Sequence, residues 1–168
     1  MWNDTNEPIA YLITFRTYGT WLHGDERGSI DKYHNKFDAL RAVTSIDREN
    51  IHRERLKSPP FLLDAKSRSI VETTIREVCG FRDWSLLGLA VRTNHVHTVN
   101  AANAPSAKML NDFKACATRG LRENDCWTFD HSPWVDKGSR RMLWTPEHVA
   151  TAVDYVLNRQ GEPLPDFD

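Results

Sequence analysis

Residues 84–100 read WSLLGLAVRTNHVHTVN, and the fold turns on how this stretch is divided. Two short runs rich in β-favouring residues, 84–92 and 96–100, flank the corner Thr93-Asn94. This is the pattern of two strands joined by a tight turn. N-terminal to it, Asp64 is a natural N-cap for a helix over 65–80, with Val71, Ile75 and Val78 at i, i+4 and i+7 and Gly80 as its stop. Ser58-Pro59-Pro60 ends whatever precedes that helix, because consecutive prolines break one. Further upstream, residues 9–15 (IAYLITF) follow Pro8 as another strand. C-terminal to the hairpin, Pro105-Ser106 opens a helix whose stripe is Leu110, Phe113, Ala117 and Leu121. Residues 123–139 read as a loop carrying Trp127 and Trp134, and 140–144 as a short strand. Thr145, Pro146 and Glu147 then start a last helix with Val149, Ala152, Val153, Val156 and Leu157 on its apolar face. Gly161, Pro163 and Pro165 end it.

The order strand, helix, strand, strand, helix, strand, with an additional C-terminal helix, predicts an α+β fold. Its architecture is ferredoxin-like (split βαβ, RRM-like): an antiparallel sheet with helices on one face and an extra C-terminal helix. At 168 residues one domain over 1–168 is expected, with a charged insertion at about 34–58 read as a surface helix or ordered excursion. The chain is 40% hydrophobic and 27% charged, ordinary for a globular protein and against global disorder. No apolar run approaches the roughly 18–20 residues that span a bilayer. The N-terminus lacks the basic-then-apolar pattern of a secretory signal. Cys79, Cys116 and Cys126 fit neither a disulfide set nor a zinc motif, so reduced thiols and a cytoplasmic location are expected. With 22 basic and 23 acidic residues the chain is not a uniformly basic nucleic-acid binder, though a local basic face is compatible with that balance.

Chemistry concentrates in two places. On a strand, residues i and i+2 share a face, so His95 and His97 present two imidazoles together while Val96 enters the core. Such a pair suits a divalent metal or a phosphate, or it makes ordinary hydrogen bonds on a half-exposed strand. Tyr155 sits about 130° from the centre of the last helix's apolar stripe. It reads either as boundary packing or as a nucleophile whose phenol needs a base or a nearby cation such as Arg159. No HExxH, paired CxxC, GxxxxGK[ST] or GxGxxG occurs.

A Phe-ended first strand running into TYGTWLHGDERGS, then RTNHVH, then NDFKA on a helix, then TPEHVATAVDYVLNRQGE, resembles the HUH-type single-tyrosine transposases. The branch it looks most similar to is the REP-associated tyrosine transposase-like proteins, and the resemblance covers roughly residues 9–162. It implies a metal-dependent transesterase that cuts and rejoins single-stranded, hairpin-associated DNA. His95 and His97 would match the metal-binding pair for Mg²⁺ or Mn²⁺, and Tyr155 the nucleophile that forms a 5′-phosphotyrosine. A third ligand would come from near the tyrosine. Arg159 is a cation and unsuited, Asn158 shares the tyrosine's face, and Gln160 reaches the site if the last turn loosens before Gly161; Gln160 is preferred. For DNA phosphates the chain offers Lys108, Lys114, Arg119, Arg140 and Arg141, and for stacking Trp21, Trp134 or Trp144, of which Arg140-Arg141 beside Trp144 is the best group. Members work as homodimers or as single chains, so both arrangements stay open. Two other readings compete: a hairpin-binding module that has lost its chemistry, and an unrelated two-histidine enzyme acting on small molecules.

Overall fold

The computed structural model describes residues 6–20, 53–162 and 164. Most of the insertion expected at 34–58, and Trp21, lie outside them. The elements run β1 (Ala10–Arg16), α1 (Ala65–Arg82), β2 (Ser85–Val91), β3 (His95–Ala101), α2 (Ser106–Glu123), β4 (Ser139–Leu143) and α3 (Pro146–Asn158). The strands form one antiparallel sheet in the order β2-β3-β1-β4, as the hairpin reading requires. Among the described residues no helix is long and apolar enough to cross a membrane.

Period-2 alternation sends β1 side chains to two separate cores. Ile13 and Phe15 join Val71, Ile75, Phe113 and Leu121 between the sheet and α1/α2. Ala10 packs instead with Val99, Leu143, Ala152 and Val156, and Leu12 backs this group under α3. The C-terminal helix therefore covers the sheet face opposite the other two helices. That places residues 95, 97 and 99 of β3 on the α3 side and Val96 in the main core.

Local signals explain most boundaries. The Asp64 carboxylate accepts from Ser67 N–H at 2.8 Å, capping α1. Gly80 does not stop that helix. It continues to Arg82 and ends at Asp83, whose left-handed φ of 57° lets its N–H reach the Cys79 and Gly80 carbonyls. The Thr145 hydroxyl accepts from His148 N–H at 3.1 Å and caps α3. Leu157 belongs to the apolar stripe on a helical wheel, yet it is 56% exposed. The fully buried residues of α3 are Ala152 and Val156, so the covered stripe is narrower than the wheel implies and leaves Leu157 outside it. Gly138, just before β4, is needed for close approach: a Cβ there would lie 2.7 Å from the Thr14 carbonyl oxygen. That contact brings β4 tightly against β1.

Candidate active site and nucleic-acid groove

His95 and His97 stand on β3, an interior strand of the sheet, with ring centroids 4.7 Å apart. Register pairs Thr14 of β1 with His97, and a 2.7 Å hydrogen bond joins Thr14 Oγ1 to His97 Nδ1. Asn94 does the same for the other ring, with its Oδ1 2.7 Å from His95 Nδ1. The corner itself is tied down, because Thr17 N–H donates to the Asn94 carbonyl at 3.0 Å and Leu63 N–H to the Thr93 carbonyl at 2.7 Å. Both imidazoles thus have Nδ1 engaged by an oxygen. In the tautomer that donates from Nδ1, each Nε2 keeps a lone pair for a ligand. His97 is 6% exposed. Burial first, then the neighbouring His95 and Arg16 charges, push its pKa down to about 4, so it is a neutral imidazole at pH 7.

Tyr155 approaches from α3, with its ring centroid 5.5 Å from that of His97 in the same chain, and is 41% exposed. Helix α3 ends at Asn158, and Gly161 takes a left-handed φ of 83°. The loosened end lets Gln160 fold back. Its Nε2 donates to the Tyr155 carbonyl at 3.1 Å, which also accepts the Arg159 backbone N–H at 3.2 Å, and its Oε1 lies 3.1 Å from His95 Nε2. Asn158 and Arg159 are not brought to the site. Asn158 Nδ2 and Arg159 Nε both donate to the Asp154 carboxylate at 2.9 Å on the solvent side of the helix. Their hydrogen bonds hold the Asp154 carboxyl below its ordinary range.

The donor set fits a divalent ion. With Gln160 Nε2 donating to the Tyr155 carbonyl, its Oε1 faces His95 Nε2, and in the tautomer that donates from Nδ1 these are two lone-pair atoms 3.1 Å apart. A proton or a cation between them relieves that repulsion. Two imidazole nitrogens and an amide oxygen suit Mn²⁺, and less strongly Mg²⁺. Among the described residues no group of three His, Cys, Asp or Glu could hold a metal, and the oxygen donor that faces His95 Nε2 is the Gln160 amide.

The expected DNA-contacting residues divide by sheet face. Arg141 and Trp144 line a groove between β4 and α3 together with His97 and Tyr155. Lys108, Lys114 and Arg119 sit on α2, across the sheet. Lys108 pairs with Asp112 at 2.9 Å. Lys114 donates to the Val135 and Lys137 carbonyls at 2.7 Å, and burial lowers its pKa, so it braces the loop before β4. Arg119 is exposed there. Arg140 alternates away from the groove toward Ser106, with Nη1 3.4 Å from its Oγ. Trp134 is a core residue, edge-on to Phe15 at 4.9 Å, and not a stacking surface. The sequence reading missed Thr14, Asn94 and His148. Asn94 stood in plain view beside the pair, and His148 is seven residues before Tyr155 on the same helical face. Thr14 was hidden because strand register does not show in a single sequence.

An antiparallel split-βαβ sheet bearing a histidine pair on an interior strand, faced by a tyrosine from an appended helix, defines an α+β protein with a candidate metal-and-tyrosine centre. Solved structures similar to the chain carry a transposase-like fold. One is the REP-associated tyrosine transposase bound to a REP hairpin, with 9% identity over 93% of this chain and 67% of that one, at a TM-score of 0.53. Another is a candidate transposase of Deinococcus radiodurans R1, with 11% identity over 95% of this chain and 97% of that one, at a TM-score of 0.52. No family model and no curated protein matches the chain.

Proposed function

We propose that the chain is a tyrosine transesterase that cuts and rejoins single-stranded, hairpin-associated DNA, as in transposition or the processing of repeated palindromic elements. The observation that carries this reading is the 5.5 Å approach of the Tyr155 ring to His97 within one chain, beside a His95–Gln160 contact. The transposase-like fold of the similar structures supports it, one of them bound to a REP hairpin.

His95, His97 and Gln160 would hold Mg²⁺ or Mn²⁺, which supplies Lewis-acid polarisation of a non-bridging phosphate oxygen and offsets transition-state charge. Thr14 and Asn94 lock the two rings, so the site needs little reorganisation when a phosphodiester enters. Tyr155 presents its phenol from a helix packed through Ala152 and Val156, which fixes its approach to the phosphorus. Its oxygen forms a bond to phosphorus as the bond from phosphorus to the 3′ oxygen breaks. The proton lost by the phenol balances the one gained by the departing 3′-hydroxyl. The products are a 5′-phosphotyrosine and a free 3′-OH, and attack by a 3′-OH reverses the step without an external energy source.

The test is a labelled hairpin oligonucleotide with single-stranded flanks, incubated with protein and Mn²⁺ and run on a denaturing protein gel. A covalent adduct that disappears with Tyr155→Phe and with chelator is expected. DNA held equally well in chelator, with no adduct on any hairpin tried, would overturn the enzymatic reading.

A further inference from the structure

The space around His97 extends to both sides of the ring. On one side a groove of about 630 Å³ is lined by Arg141, Trp144, His148 and Tyr155 above an apolar floor that includes Leu12 and Leu143. On the other, about 300 Å³ is lined by Arg16, Asp136, Lys137 and Gly138. Thr14, His97 and Ser139 line both, so the two spaces adjoin at His97 and together make a trough. It follows β4 and the residues on either side of it, a run of roughly 20 Å at about 3.3 Å per residue. A small molecule would fill one half. A ligand that occupies both has to be a chain.

Charge and shape say which chain. Trp84, Trp127 and Trp134 are buried, and the Trp127 and Trp134 indoles donate to protein oxygens. Trp144 is 42% exposed on the trough wall, a flat aromatic surface beside an apolar floor. Its backbone N–H donates to His148 Nδ1 at 3.4 Å, which leaves the other ring nitrogen of His148 to carry the proton. The Arg141 guanidinium lines the groove and has no ionic or hydrogen-bonding partner among the described residues. Lys137 and Arg16 add cations beyond His97. The carboxylate among these lining residues, Asp136, acts electrostatically on the Lys114 ammonium. An apolar aromatic wall with a cationic rim, continued along a line, matches alternating bases and phosphates.

We infer that this trough carries the single-stranded segment flanking the reacting phosphate: one base stacks on Trp144, Arg141 takes the adjoining phosphate, and the strand continues past His97 toward Lys137. The inference rests on the function proposed above and adds the strand's path and its base subsite. His148 donates to the stacked nucleotide from the other wall.

The experiment measures binding apart from chemistry. Full-length Tyr155→Phe protein in chelator is titrated against a fluorescein-labelled hairpin oligonucleotide with a single-stranded flank, and against a set carrying one abasic position along that flank. Adding Trp144→Ala should weaken binding roughly ten- to hundredfold, and Trp144→Phe should restore most of it. One abasic position should cause the same loss, and the two losses should not add. Arg141→Gln should reduce the slope of log affinity against log salt by about 0.7, the value for one phosphate on a single strand. Unchanged binding in Trp144→Ala, or a loss that no abasic position reproduces, overturns the trough. The adduct assay, run in parallel with unmutated protein, separates the two readings. An adduct with binding indifferent to Trp144 sinks only the trough, and Trp144-dependent binding without an adduct sinks only the chemistry. Failure to bind any of the oligonucleotides sinks both.

Discussion

Replacing Thr14 with valine changes the shape of the side chain little and removes one oxygen. Valine keeps the β-branch, so strand preference and the contacts of β1 with β3 and β4 are retained. What is lost is the 2.7 Å hydrogen bond to His97 Nδ1. His97 is only 6% exposed, so bulk water cannot readily replace the hydroxyl. A buried polar group left without its partner costs about 1–3 kcal/mol. With a urea dependence of about 2 kcal/mol per molar for a domain of this size, the unfolding midpoint of metal-free Thr14→Val should fall by roughly 0.5–1.5 M. The ring also loses the contact that selects its tautomer, and loss of such an outer partner typically weakens metal binding about 10- to 100-fold. The assays are urea unfolding in chelator and Mn²⁺ titration by calorimetry on wild type, Thr14→Val and Thr14→Ser. Thr14→Ser keeps the hydroxyl and should bind Mn²⁺ nearly as the wild type does. A valine variant with wild-type midpoint and wild-type Mn²⁺ affinity would refute the claim that Thr14 holds the ring.

Other consequences follow from the same geometry. Gln160→Ala should weaken Mn²⁺ binding at least several-fold while Asn158→Ala leaves it unchanged, because Gln160 reaches His95 and Asn158 turns to Asp154; equal effects in calorimetry would remove Gln160 from the ligand set. Mixing His97→Ala protein with Tyr155→Phe protein should not restore the DNA adduct, since Tyr155 faces His97 of its own chain; adduct recovery on the gel would mean that α3 serves a partner's site. Gly138→Ala should lower stability by about 1–3 kcal/mol in urea unfolding, because its Cβ would meet the Thr14 carbonyl oxygen at 2.7 Å and backbone has to move; an unchanged midpoint would show that β4 has slack.

Local signals made much of the fold legible. The Asp64 and Thr145 caps, the Thr93-Asn94 corner and the period of each apolar stripe are written within a few residues of where they act. The histidine pair and its shared face follow from a period of two, which any strand obeys. Gly80 misled because a glycine near the end of a stripe resembles a stop, while the left-handed position was taken by Asp83. Leu157 misled because a helical wheel gives the direction of a side chain and not how much of the helix the sheet covers. The basic residues of α2 and Arg140 were grouped with Arg141 because sequence carries charge but not sheet face.

The sequence by itself determined the order of elements, the pairing of His95 with His97 on one side of a strand, and the presence of a tyrosine on a terminal helix. These depend on backbone periods and short-range caps, which act over a few residues. Only the tertiary structure decided that Thr14 braces His97, that Gln160 and not Asn158 reaches His95, and that Trp144 and Arg141 share a trough with Tyr155. Those contacts span as many as 83 positions of chain. They arise from strand register, from the side of the sheet on which α3 settles and from where its last turn lets go. Each of these is set by packing two cores against one sheet, a constraint that no local stretch of sequence contains.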